Sequence, residues 1–227
     1  MYIQITTRCN MTCEHCSQRA SERGSDMSLK TYKNAIELCK DYDDMVQLGG
    51  GEPTLHPKFW EFLGLGLSVG ELWLATNGSN TETSLALCGM ARRGVIGCAL
   101  SMDHWHDPID WDVVEAFQDG MKRSMRSNDN SGLYYTDQGY QAAKAGDGRE
   151  IRDVSNNILK RGRAIDNECW HEDGCVCNTL TVKPNGDARG CGCPRATKLG
   201  NVNETVNIPD WWEYGECCKN QDEEVTV

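Results

Sequence analysis

The chain has no apolar run approaching the ~20 residues needed to cross a bilayer, and its first residues lack the basic-then-apolar layout of a secretion signal. Both absences point to a cytoplasmic protein, and neither bears on a cellular or viral origin. It has no internal repeat, which argues against a repeat array. It also lacks positive charge: 23 Lys and Arg face 34 Asp and Glu, leaving a net charge of −11. That balance argues against a broad electropositive groove for nucleic acid, although Lys183, Arg189, Arg195 and Lys198 form a local basic patch. A chain of 227 residues is long enough for one good core with a small appendage, not for two full-sized domains.

Cysteine is what the chain has in quantity. Of thirteen cysteines, Cys9, Cys13 and Cys16 crowd the start and seven lie between Cys169 and Cys218. In a cytoplasmic setting such bunching points to metal rather than disulfides. Cys39, Cys88 and Cys98 fall in or beside apolar stretches and read as core thiols. The first bunch has the spacing C-x3-C-x2-C on one short loop. Three thiolates hold only three irons of a cubane [4Fe–4S] cluster, leaving the fourth iron open to chemistry. A zinc site would need a fourth protein ligand, and His15 is poorly placed to serve.

The local pattern alternates strands and helices. Strands are expected at Tyr2–Thr6, Met45–Leu48, Glu71–Ala75 and Val95–Leu100. Helices are expected at Leu29–Lys40 behind a Ser28 cap, Phe59–Leu67, Thr83–Arg93 and Asp112–Arg126. Such order predicts parallel strands with right-handed crossovers and functional residues at the strands' C-terminal ends. Residues 127–148 are polar and Gly-rich, with a weak strand at Leu133–Thr136, and 151–164 are expected to close the barrel that such an order forms. From Asp166 the composition shifts to Cys, Gly, Asn and Trp. Thr179–Lys183 and Ala188–Cys193 then read as a hairpin across Asn185-Gly186, and residues 220–227 as a frayed acidic tail.

The run Cys9-Asn10-Met11-Thr12-Cys13-Glu14-His15-Cys16, followed by Gly50-Gly51-Glu52-Pro53, resembles the radical S-adenosylmethionine (SAM) superfamily. The resemblance extends through Thr76-Asn77-Gly78, Ser101-Met102-Asp103 and Gly162-Arg163-Ala164, over residues 1–165. It implies an α/β fold, a partial (β/α)6 TIM-like barrel, with a small Cys-rich β-hairpin extension at residues 166–227. It further implies that Cys9, Cys13 and Cys16 hold a [4Fe–4S] cluster and that His15 packs near the adenine of SAM. Gly50, Gly51 and Glu52 would meet the methionine end. Thr76, Asn77, Ser101 and Asp103 would face ribose or carboxylate, and Arg163 and Ala164 would flank carboxylate and adenine. The implied partner is an electron donor of flavodoxin or ferredoxin type.

Cys177-x8-Gly186-x4-Cys191 resembles the first half of the SPASM auxiliary-cluster pattern, about one residue short before Gly186. The second half is missing, which resembles the truncated form called Twitch. Cys177, Cys191 and Cys193 are expected to reach one metal, with Cys175, Cys217 or Cys218 supplying a further ligand; Cys169 and His171 remain spare. The group is a second [4Fe–4S] cluster or a zinc ion.

On the substrate side, His104, Trp105, His106 and Asp107 follow a strand's C-terminal end. His104 and His106 share a parity that puts both on one side of an extended loop. They read as hydrogen-bonding groups beside a Trp105 wall, or else Asp107 caps the next helix and Trp105 covers the barrel. Tyr134 and Tyr135 are further candidates, with ordinary packing as the alternative. The implied reaction is reductive cleavage of SAM and hydrogen abstraction from a peptide or nucleotide. Only eight residues precede Cys9, which leaves no room there for a leader-binding module and counts against a peptide. Rearrangement of a modified thymine in viral DNA, and a radical-inactive SAM-binding protein, are the alternatives.

Overall fold

The computed structural model describes residues 1–118, 147–152, 158–170, 179–193 and 196–209. Within them the chain builds one eight-stranded sheet, in the order β5-β4-β3-β2-β1-β6-β7-β8. β1 (Tyr2–Gln4), β2 (Met45–Gly49), β3 (Glu71–Thr76), β4 (Gly97–Ser101) and β5 (Arg149–Arg152) are parallel neighbours. Helices α1 (Leu29–Tyr42), α2 (Phe59–Gly66) and α3 (Thr81–Arg92) make the crossovers between β1 and β4, and residues 111–118 form α4. β4 is buried along most of its length, as expected of a strand covered on both faces.

Local chemistry accounts for these elements. Ser28 Oγ accepts from Thr31 N at 3.1 Å and starts α1. Tyr32, Ala35, Ile36 and Cys39 then recur at helical spacing on its buried face. Tyr32 stacks on Phe62 of α2 with ring centroids 4.1 Å apart, and its hydroxyl donates to Phe62 O at 2.9 Å. Cys39, Cys88 and Cys98 are buried in the core with Leu48, Leu74 and Leu100.

The C-terminal hairpin joins the same sheet. β6 (Thr181–Val182) pairs parallel with β1, and β7 (Asp187–Arg189) and β8 (Lys198–Asn201) follow antiparallel. The turn stands on Gly186, whose φ of 89° suits glycine; its N–H donates to Lys183 O at 2.8 Å. β5 was not expected as a strand, since it follows a polar stretch and is only four residues long. Asp110 starts α4, its carboxylate accepting from Asp112 N at 3.0 Å; this replaces the expectation that Asp107 would. The weak strand at Leu133–Thr136, with Tyr134 and Tyr135, and the tail at 220–227 lie outside the described residues.

Candidate active site

The loop between β1 and α1 carries the first cysteines across the C-terminal end of the sheet. Cys9 is buried with Met11 and Ala20, and Cys13 and Cys16 pack against the same group. The loop is pinned from two sides. On one side, Gly51 N donates to Thr6 O at 3.0 Å and Glu52 N to Arg8 O at 2.8 Å. A Cβ on Gly50 would lie 2.7 Å from Thr6 O, and one on Gly51 would lie 2.3 Å from Arg8 O. These glycines therefore let the end of β2 touch the cysteine loop itself.

On the other side stand Gly162, with φ 64°, and α5 (Arg163–Asp166). Arg163 Nε donates to Cys13 O at 3.0 Å and Nη1 to Ala20 O at 2.6 Å, while Arg163 N donates to Cys16 O at 2.8 Å. Ala164 is fully buried behind them. Arg163 thus braces the loop that carries all three thiols.

The thiols fit a multi-iron group better than a single ion. Around one zinc, sulfurs sit ~3.8 Å apart, given a Zn–S bond of ~2.3 Å and tetrahedral geometry. Among the described residues, Cys9, Cys13 and Cys16 do not form a set of ligand atoms within 4.8 Å of one another. Burial pushes the Cys9 thiol up, and burial followed by the neighbouring Cys9 pushes Cys13 up to about 11. A metal must therefore displace their protons on binding. Met11 N points at Cys9 Sγ at 3.4 Å.

Glu52 knots the strand ends together. Its Oε1 accepts from Thr54 N at 3.1 Å, Thr54 Oγ1 at 2.6 Å and Thr76 Oγ1 at 2.9 Å, and its Oε2 from Asn77 N at 2.7 Å. Asn77 Nδ2 continues to Asn10 Oδ1 at 3.1 Å, inside the cysteine loop. Burial raises the Glu52 pKa, against the pull of these four donors. Oε2 takes one bond and keeps acceptor capacity.

Above the cysteines, the loop after β4 closes on His15. Ser101 ends β4. Asp103 Oδ1 accepts from Trp105 N at 2.9 Å and pairs with His106 Nδ1 at 2.8 Å. The chain therefore turns at residues 103–106, and the parity expected of an extended loop fails. His106 faces His15 with ring centroids 5.1 Å apart, whereas His104 is exposed and lies against Trp105 at 4.4 Å; Asp107 is also exposed. Burial alone would raise the Asp103 pKa, but the His106 bond and charge and the Trp105 N–H hold it at about 2. Burial lowers His15 to about 4, so its ring is neutral above that pH. The His15 and Trp105 rings lie 5.8 Å apart. His15 Nδ1 and Trp105 Nε1 are buried without hydrogen-bond partners among the described residues. The orphaned His15 Nδ1 suits a heteroaromatic base packed beside that ring.

Of the second bunch, Cys191 and Cys193 pack together with Ala196, and Cys193 N donates to Cys191 Sγ at 3.4 Å. Cys175, Cys177, Cys217 and Cys218, with His171 and Arg195, lie outside the described residues. The surface patch expected around Lys183 divides. Lys198 pairs with Asp187 at 2.8 Å and Arg189 Nη1 donates to Ala196 O at 3.1 Å. Lys183 instead turns inward, where burial, then Arg161 and Arg189, push its pKa down to about 8. Arg152, Arg161 and Tyr2 also gather there. They were not foreseen, because none lies in a motif.

Residues 3–125 match the family model described as the Radical SAM superfamily, and the chain belongs to that superfamily. Membership implies a [4Fe–4S] cluster and SAM, and the Cys9–Cys16 loop and the orphaned His15 Nδ1 suit them. The chain is 32% identical over 108 residues to the tungsten-containing aldehyde ferredoxin oxidoreductase cofactor-modifying protein of Pyrococcus furiosus, covering 45% of this chain and 30% of that one. It is 31% identical over 80 residues to the S-adenosylmethionine-dependent nucleotide dehydratase of Selenomonas ruminantium, covering 34% and 29%. It thus spans less than a third of these relatives. The crystal structure of BtrN in complex with AdoMet and 2-DOIA shares the fold, with a TM-score of 0.60 at 18% identity, over 94% of this chain and 81% of that one. No described helix is long and apolar enough to cross a membrane.

Proposed function

We propose that this chain holds a [4Fe–4S] cluster on Cys9, Cys13 and Cys16, binds SAM beside it, and removes hydrogen from a carbon of a peptide or nucleotide. When bound, the reduced cluster and SAM supply a 5′-deoxyadenosyl radical, strong enough to attack an unactivated C–H bond. The protein's own residues position and shield. Glu52 Oε2 is an acceptor for the SAM ammonium, and the neutral His15 ring packs near the adenine. Thr76, Asn77, Ser101 and Asp103 line the strand ends where ribose and carboxylate would lie. Gly50, Gly51, Arg163 and Ala164 fix the loop so that the thiols keep their spacing. His104, His106 and Asp107, beside Trp105, form the substrate rim.

On this reading residues 1–165 are the catalytic unit, a partial barrel. Residues 166–227 are the auxiliary unit, with Cys177, Cys191 and Cys193 holding a second cluster and one of Cys175, Cys217 or Cys218 supplying its fourth ligand. The electron donor is of flavodoxin or ferredoxin type. The observation that carries the reading is the cysteine loop, braced by Arg163 and the glycines and lying beside the half-buried His15 ring, whose Nδ1 has no hydrogen-bond partner among the described residues. A second reading, isomerisation of a modified thymine in DNA, draws on the stacking surface of Trp105 and His104.

Anaerobically reconstituted protein incubated with SAM, dithionite and peptide or modified DNA tests both. Oxidation removes two hydrogens and consumes SAM, whereas rearrangement leaves the product mass unchanged. Reduced protein that forms no 5′-deoxyadenosine would refute the enzyme reading and leave a SAM-binding regulator.

A further inference from the structure

Cations on this acidic chain usually find carboxylates. Arg8 pairs with Asp26, Arg19 with Asp166, Arg149 with Asp147 and Lys198 with Asp187. Three half-buried cations at the site do not: among the described residues, no carboxylate lies within ion-pair distance of Arg152, Arg161 or Lys183. Arg152 is the last residue of β5, and Lys183 directly follows β6. Arg161 lies two residues before α5. All three stand where the parallel strands end, on the same side as the cysteine loop.

Arg161 and Lys183 meet at Gly192, where a Cβ would lie 3.2 Å from Arg161 Nη1. The half-buried Tyr2 side chain feels the charges of both Arg161 and Arg152, and Arg152 also acts on His15. Arg161 in turn repels Lys183. Among the described residues, Lys183 Nζ has a weak bond to Gly192 O at 3.4 Å, and the buried Arg161 Nε has no hydrogen-bond partner. Nearby, Glu150 is the carboxylate that feels Arg152, and burial raises its pKa.

Gathering like charges away from bulk water is unfavourable unless something neutralises them. Three cations against Glu150, with the Cys191 and Cys193 thiols also acting on Lys183, leave unspent guanidinium and ammonium donors that suit the several oxygens of a phosphate monoester. We propose that Arg152, Arg161 and Lys183, with the Tyr2 hydroxyl, bind a phosphate monoester carried by the substrate. This rests on reading the strand ends as the substrate chamber, and it favours a mononucleotide over an unmodified peptide.

The test uses anaerobically reconstituted protein saturated with SAM, titrated calorimetrically with inorganic phosphate, thymidine 5′-monophosphate, thymidine and acetate. Phosphate and the monophosphate should bind, with thymidine and acetate at least about tenfold weaker. Arg161→Gln and Lys183→Gln should each weaken phosphate binding about tenfold, with iron content and SAM affinity unchanged; Lys183→Arg should restore much of the loss. Phosphate should also raise the melting temperature of the wild type and not of the double variant.

Three results would overturn the proposal. The first is wild-type protein that binds phosphate no better than acetate. The second is variants that lose SAM affinity instead, which would give these cations to the SAM carboxylate. The third is variants that lose iron with phosphate binding intact, which would tie them to the Cys191–Cys193 metal. Phosphate binding without 5′-deoxyadenosine under reduction would spare this site and refute the enzyme reading, while radical formation without phosphate binding would do the reverse.

Discussion

Glu52 offers the sharpest test of how the strand ends are held. Its side chain is 1% exposed and accepts four hydrogen bonds from Thr54, Thr76 and Asn77. Glu52→Ala strands the Asn77 N–H and the Thr76 hydroxyl, both buried too deeply to reach water. At about 1–3 kcal/mol for each unsatisfied group, the gross loss is about 2–6 kcal/mol. Removing a carboxylate whose burial is itself unfavourable offsets part of this, so a net loss of about 2–4 kcal/mol is expected. Glu52→Gln keeps the oxygen that takes three donors but turns an NH2 group toward Asn77 N–H. It should cost about 1–2 kcal/mol, the lost charge-assisted bond less the relieved desolvation. Urea unfolding of the cluster-free protein, with unchanged m-values, measures both, and SAM titration of the loaded protein reads the ligand role separately. If both variants unfold within about 0.5 kcal/mol of wild type, the network does not hold the strand ends and Glu52 serves only the ligand.

Cys13→Ala should abolish 5′-deoxyadenosine formation while leaving the circular dichroism spectrum essentially intact; normal turnover in that variant would remove the cluster assignment. Gly51→Ala must move the Arg8 carbonyl, which would sit 2.3 Å from the new Cβ. A loss of about 1–3 kcal/mol and reduced iron loading are expected by urea unfolding and iron assay, and an unchanged variant would contradict the close approach. Arg163→Ala removes two donors from the cysteine loop and should cut iron retention during gel filtration, with Arg163→Lys intermediate because one ammonium cannot reproduce the fork. Asp103 is held at about 2 against an ordinary 3.8, so its stabilisation is present above pH 3.8 and is lost as pH falls toward 2. The stability gap between wild type and Asp103→Asn should accordingly narrow across that interval in pH-dependent urea melts, and a gap that widens would reverse the sign of the argument.

Elements with strong local signals were legible from sequence. α1 announced itself through Ser28 and the Tyr32–Ala35–Ile36–Cys39 spacing, and the hairpin through Asn185-Gly186, because caps and turns are decided by neighbouring residues. The cysteine loop was legible because its spacing carries chemistry. Gly50 and Gly51 also meet the loop backbone at Thr6 and Arg8, a contact between residues about forty positions apart that no local pattern announces. The His104–His106 parity failed because an Asp103 side-chain bond, invisible to periodicity, turns the chain. Arg152 and Lys183 come to one place from β5 and β6, more than thirty residues apart, and only the folded sheet reveals it. For the same reason β6 was legible as part of a hairpin but not as the neighbour of β1.

The most direct measurement is electron paramagnetic resonance of the dithionite-reduced, anaerobically reconstituted protein before and after SAM, with 5′-deoxyadenosine quantified in the same samples. The account predicts a reduced iron–sulfur signal that changes when SAM is added, and deoxyadenosine formed only while Cys9, Cys13 and Cys16 are all present. A sample that loads iron yet gives a signal indifferent to SAM, or none at all, contradicts it.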